Sequence, residues 1–192
     1  MPNWCSNTLI ISGDKKELEL FKQKSITRSA KGLDIFLMDG LITMPEELAK
    51  VEDITPEEKT ERIAKYGYDN WFDWRFENWG SRTDATDSDI IYLDDEGLTI
   101  NFETAWSPAI PYIKQVAKIL PNLVFDLYFM ETGQWFAGRV TAHNEEVNEQ
   151  YGEPMQVDDD GNEVRYEEIK DMYRILGTDN YTEDTHEINP FV

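Results

Sequence analysis

The chain has 192 residues, 40% apolar and 12% aromatic, and carries 39 acidic against 18 basic side chains for a net charge of −21. At roughly 150 residues per domain this is one domain with room for an insertion. The single cysteine, Cys5, excludes a disulfide framework, two histidines leave little for a metal site, and no apolar run approaches the ~20 residues of a membrane helix.

Thr8-Leu-Ile-Ile-Ser12 reads as a short buried strand closed by Gly13, with Pro2 to Asn7 as a structural lead-in. In that lead-in Asn3 and Asn7 are suited to holding turns, and Trp4 to covering an edge. Asp14 can cap a helix over 15–23, where Leu18 and Phe21 share a face. Residues 24–40 show no clean period. From Met44 the pattern turns helical, first at Pro45-Glu-Glu-Leu48. Thr55-Pro-Glu-Glu58 is a capping box with proline at the first helical position, and its helix should stop at Gly67. A further helix over 69–79 should end at Gly80. Its aromatic residues at 71, 72, 74, 76 and 79 predict burial on several sides.

Asp89–Leu93 and Leu98–Thr104 flank Asp94-Asp-Glu-Gly97 as a β-hairpin. Leu98, Ile100 and Phe102 alternate with Thr99, Asn101 and Glu103, a clean period of two. Ser107 and Pro108 are a normal cap and first position for an amphipathic helix carrying Ile110, Ile113, Val116, Ala117 and Leu120 on one stripe. Leu123–Met130 is a strand, and Gly133 turns the chain into another over 134–140. This order, β–α–(insertion)–ββ–α–ββ, predicts an α+β fold. It is the ferredoxin-like split βαβ layout, with helices on one face of an antiparallel sheet. The domain is expected over 1–140 with a helical insertion at about 24–88. Residues 141–192 are expected to form an acidic hairpin, a helix and a loose tail. Residues 178–192, with few apolar side chains, should be dispensable: their deletion is expected to leave the melting temperature nearly unchanged.

Counted along the chain, residues 1–40 carry a net +1 and residues 141–192 a net −12. Such a surface repels nucleic acid and favours a basic protein partner. The run Gln156-Val-Asp-Asp-Asp-Gly161 departs from a calcium loop, because Gln156 and Glu163 stand where that loop wants a carboxylate and an apolar residue. A hairpin turn explains it instead. Cys5 has no histidine near it in sequence and Ser107 has no glycine-flanked elbow, so no catalytic residue is expected. No metal or cofactor is called for either.

The loop after the aromatic helix leads into one strand of the hairpin, and the Thr104–Pro108 loop leaves its partner. In a hairpin these ends are neighbours. Asn78, Trp79, Arg82, Asp84, Thr104, Trp106 and Ser107 should therefore gather at one end of the sheet. They would form either a binding site or a polar clasp that anchors the insertion, with Arg82 and Asp84 a candidate ion pair.

Three segments carry a resemblance: Met1-Pro-Asn-Trp-Cys-Ser-Asn7, Glu77-Asn-Trp-Gly80, and Phe102-Glu-Thr-Ala-Trp-Ser-Pro108 with Gly133 to Gly138. In this order they resemble the YubB ferredoxin-like family of phages, plasmids and integrated elements. The chain departs from that family at Ser81-Arg-Thr83 and at Ala109. The resemblance implies a mobile-element accessory protein in a bacterial cytoplasm, and no transferable activity. The expected role is non-enzymatic: engaging a host or element protein through an acidic surface, so as to blunt a defence system. Two alternatives stand beside it. One is a sponge for a nucleotide-like ligand in a pocket of Trp79, Arg82 and Trp106; the other is an enzyme using Asp84 and Glu131.

Overall fold

The computed structural model describes residues 2–50, 54–93, 97–134 and 136–152, together with two short strands at 156–157 and 163–164. The tail and the helix expected after residue 166 lie outside the described residues, as do Asp158 to Gly161.

Strand β1 (Trp4–Gly13) leads into helix α1 (Lys15–Ser25), whose first amides, Lys16 and Glu17, donate to the Asp14 side chain. The insertion follows. It opens with a miniature hairpin of β2 (Ile26–Arg28) and β3 (Asp34–Phe36), then α2 (Glu46–Ala49), α3 (Pro56–Tyr66) and α4 (Trp71–Trp79). Thr55 and Glu58 form the full capping box of α3, and Gly67 closes that helix in the left-handed conformation. Strands β4 (Thr86–Leu93) and β5 (Gly97–Ala105) make the hairpin, then come α5 (Ile110–Ile119), β6 (Leu123–Glu131), β7 (Phe136–His143) and β8 (Glu146–Gly152). Beyond them β9 (Gln156–Val157) pairs with β10 (Glu163–Val164).

The main sheet runs β4-β5-β1-β6-β7-β8, antiparallel throughout. Its first four strands, with α1 and α5 as crossovers, have the split βαβ order, which is the ferredoxin-like fold. The sheet does not stop at residue 140, because β7 continues to His143 and β8 adds a sixth strand. One face is dry. Leu18 and Phe21 of α1, with Tyr112, Ile113 and Val116 of α5, cover Leu9, Ile11, Ile100, Phe102, Phe125, Leu127 and Phe129. Phe36 plugs the insertion hairpin into this layer, its ring 5.1 Å from Phe102 and 5.9 Å from Tyr112.

Three expectations need correction. Residues 4–7 are not a lead-in: they are the first residues of β1 and pair with β5, so Trp4 opens a central strand rather than covering an edge. Here pairing to neighbouring strands overrides the weak strand propensity of serine and asparagine. Helix α5 starts at Ile110 with Ala109 at its cap, because the Ser107 hydroxyl is used elsewhere. Helix α4 buries only Trp74 and Trp79, while Phe76 stays 46% exposed. Its outer rings are covered by arginines instead, with Arg75 stacked at 5.3 Å on Trp71 and Arg82 at 4.2 Å on Phe72.

Gly80 ends α4 with φ of 80°. A Cβ there would fall 2.5 Å from the Pro108 carbonyl oxygen and 2.5 Å from Pro111 Cδ. Conformation and space both demand glycine. Gly80→Ala is expected to cost about 2 kcal/mol or more, read as a lower urea midpoint. An unchanged midpoint would show that the 80–83 loop moves freely.

Candidate functional site

The two loops meet as the topology requires. Ser107 donates its hydroxyl proton to the Gly80 carbonyl, and the Ala105 amide donates to Ser81 Oγ at 3.0 Å. Thr104 Oγ1 accepts from Asn7 Nδ2 at 2.9 Å and donates to the Ser107 carbonyl at 2.8 Å. Asn78 is held by Gln115 Nε2, which ties α4 to α5. All but the Thr104–Ser107 bond, which closes the loop itself, join segments that the sequence separates widely.

The seven expected site residues then divide by burial. Trp79 is 1% exposed, its indole N–H donates to the Ile42 carbonyl at 2.8 Å, and its ring meets Trp74 edge-on. No ligand can stack on it. Asp84 does not pair with Arg82. Its Oδ1 accepts from the Met38 and Ala85 amides at 2.7 Å each, and its Oδ2 from the Asp39 amide at 3.3 Å. Those amides claim the carboxylate because they reach it from a buried loop, while Arg82 lies over Phe72. Burial nevertheless holds the Asp84 carboxyl above its ordinary range. Arg82 and Trp106 remain exposed. Ser107 and Asp84 thus tie the insertion to β5 and β4, Asn78 ties it to α5, Trp79 ties two parts of the insertion together, and Thr104 joins β5 to β1.

The other carboxylate considered for acid–base work, Glu131, is 2% exposed and accepts from the Gly133 and Gln134 amides. Cys5 is fully buried, and burial, with Glu131 nearby, pushes its thiol up and away from the reactive thiolate.

Concavity appears on the opposite face of the sheet, where helices are absent among the described residues. A pocket of about 560 Å³ lies at the end where β1 starts and β5 and β6 finish. Trp4, Ser6, Thr8, Asn101, Glu103 and Met130 form its floor, with Asp87 and Glu131 among the residues at its rim. The pairings Thr8–Asn101 and Ser6–Glu103 place these side chains on one face, and Thr8 Oγ1 bonds Asn101 Oδ1 at 2.7 Å. Glu103 is pushed above its ordinary range by burial and by the charge of Asp87. Among the described residues no lysine, arginine or histidine lines the pocket. Within it Trp4 is 39% exposed; beside it Trp106 is 36% exposed at φ of 73°, its amide donating to the Asn3 carbonyl.

Sequence reasoning did not single out this floor. Its signal was present in the alternation of Thr99, Asn101 and Glu103, which marks a polar sheet face. What was missing was the start of β1 at Trp4, which brings Trp4 and Ser6 beside them.

An antiparallel sheet in split βαβ order, with helices on one face only among the described residues, defines an α+β protein of ferredoxin-like class. The family described as "Ferredoxin-like domain in Api92-like protein" matches residues 78–179. More than half the chain is covered, and the chain belongs to this family. The crystal structure of a protein api92 from Yersinia pseudotuberculosis is similar in fold, with a TM-score of 0.51 at 8% identity, covering 80% of this chain and 98% of that one. No curated protein matches the sequence. No helix among the described residues is long and apolar enough to cross a membrane.

Proposed function

We propose that this chain is a non-enzymatic accessory protein of a mobile element, of the YubB-like kind, that binds a basic protein in a bacterial cytoplasm and so blunts a host defence. The observation that carries the reading is the open-face pocket, which presents Asp87 and Glu103 and, among the described residues, no cationic side chain. A net charge of −21 gives long-range attraction toward basic surfaces and repulsion of nucleic acid.

The alternatives are less well supported. A nucleotide-like ligand would need Trp79, Arg82 and Trp106 to line one pocket, but Trp79 is buried and Arg82 lies over Phe72. Acid–base chemistry by Asp84 and Glu131 would need free oxygens facing a substrate, and both carboxylates accept from backbone amides.

Affinity capture from bacterial lysate at low and high salt tests the reading, with captured proteins identified by mass spectrometry. Screening weakens such pairing, so a discrete basic protein should be retained at low salt and released near molar salt. Capture that ignores salt, or that enriches neutral and acidic proteins, would sink the proposal.

A further inference from the structure

We infer that the pocket at the Trp4 end of the open sheet face receives an arginine side chain of the protein partner. This rests on the reading of the chain as a binder of basic proteins and names the group it recognises. The lining supplies what a guanidinium requires and little that any other group could use. Carboxylates stand at Asp87 and Glu103, neutral oxygens at Ser6, Thr8 and Asn101, and an aromatic ring at Trp4, while the Glu131 carboxylate is already held by the Gly133 and Gln134 amides. An anion would meet like charge. An apolar side chain would leave the Glu103 carboxylate desolvated without a partner, although burial already disfavours its charged form.

The choice of arginine follows from how the fold treats its own exposed rings. Arg82 lies 4.2 Å from the Phe72 ring, Arg75 stacks at 5.3 Å on Trp71, and Arg139 at 5.1 Å on Tyr128. Among the described residues no cation is placed over Trp4 in this way. A planar guanidinium can stack on the indole while its edge offers forked N–H donors to a carboxylate, which a lysine ammonium cannot do. A space of about 560 Å³ also exceeds one side chain and admits the flanking peptide backbone.

The test is a titration of the isotope-labelled full chain with acetyl-Gly-Arg-Gly-amide, followed by nuclear magnetic resonance, with lysine and citrulline peptides in parallel. The arginine peptide should shift the Trp4 indole and Asn101 amide signals, the lysine peptide less, and the neutral citrulline peptide not at all. Glu103→Gln should weaken arginine binding by about tenfold, a typical loss for one charge-assisted bond. Asp87→Asn serves as a second variant should Glu103→Gln lose its dispersed spectrum.

Equal shifts with citrulline, or none at Trp4, would overturn the inference. So would an affinity that neither variant changes. The peptide needs no natural partner, so the two readings fail separately. A basic protein captured equally by wild type and Glu103→Gln sinks the arginine pocket alone. Arginine binding without capture of any basic protein sinks the proposed function alone.

Discussion

Replacing Trp79 by alanine should lower stability by about 3–5 kcal/mol, the usual cost of truncating a large buried aromatic. The indole is 1% exposed and wedged edge-on against Trp74, and Arg75 lies 5.1 Å from its ring. Truncation also strands the Ile42 carbonyl that now accepts the indole proton at 2.8 Å. In a chain of this size each kcal/mol moves the melting temperature by roughly 2–4 °C, so a fall on the order of 10 °C is expected. Trp106→Ala is the control. Its ring is partly exposed and its backbone bond to Asn3 survives, so a change within about 0.5 kcal/mol is expected. Urea unfolding of both variants checks the pair. A Trp79→Ala protein as stable as wild type would show that the insertion is not clasped through this ring.

What the sequence made legible depended on the range of the interaction. Thr55-Pro-Glu-Glu58 and Asn101 to Thr104 express local rules, one of capping and one of alternation, and their elements formed as read. The hairpin at 26–36 did not show, because three residues per strand carry no detectable period and Phe36 is placed by Phe102 and Tyr112 far along the chain. Ser107 read as a helix cap, since nothing local marks a hydroxyl whose partner is the Gly80 carbonyl. Trp79 read as a ring available to a ligand because five aromatics on one short helix do not say which face the core takes. That Asn101 and Glu103 face away from the helices could be read. That they floor a concave pocket could not, because concavity depends on Trp4 and Glu131 arriving from other strands.

Asp84→Ala is expected to cost about 3 kcal/mol, through a different physical route. The carboxylate gathers the Met38, Asp39 and Ala85 amides, joining the buried turn after β3 to the start of β4. Alanine leaves up to three donors unsatisfied in a buried setting, each worth roughly 1–3 kcal/mol where water cannot reach it. The sum is less than three full penalties because the Asp39 bond, at 3.3 Å, is already long. Asp84→Asn separates charge from shape, since its amide oxygen can keep part of the clasp. The pH dependence of this pair carries a definite sign. Burial outweighs the amides and lifts the Asp84 carboxyl above its ordinary value of 3.8. A raised folded value means that the native state binds the proton more tightly than the unfolded chain does. Asp84 therefore adds most stability below the unfolded value, and that addition is lost as pH rises through the folded one. Wild type should hold its largest advantage over Asp84→Asn near pH 3, below the unfolded value, and a smaller one at pH 7, read from urea midpoints at both. An advantage that grows toward neutral pH would mean that the amides, rather than burial, dominate the carboxylate.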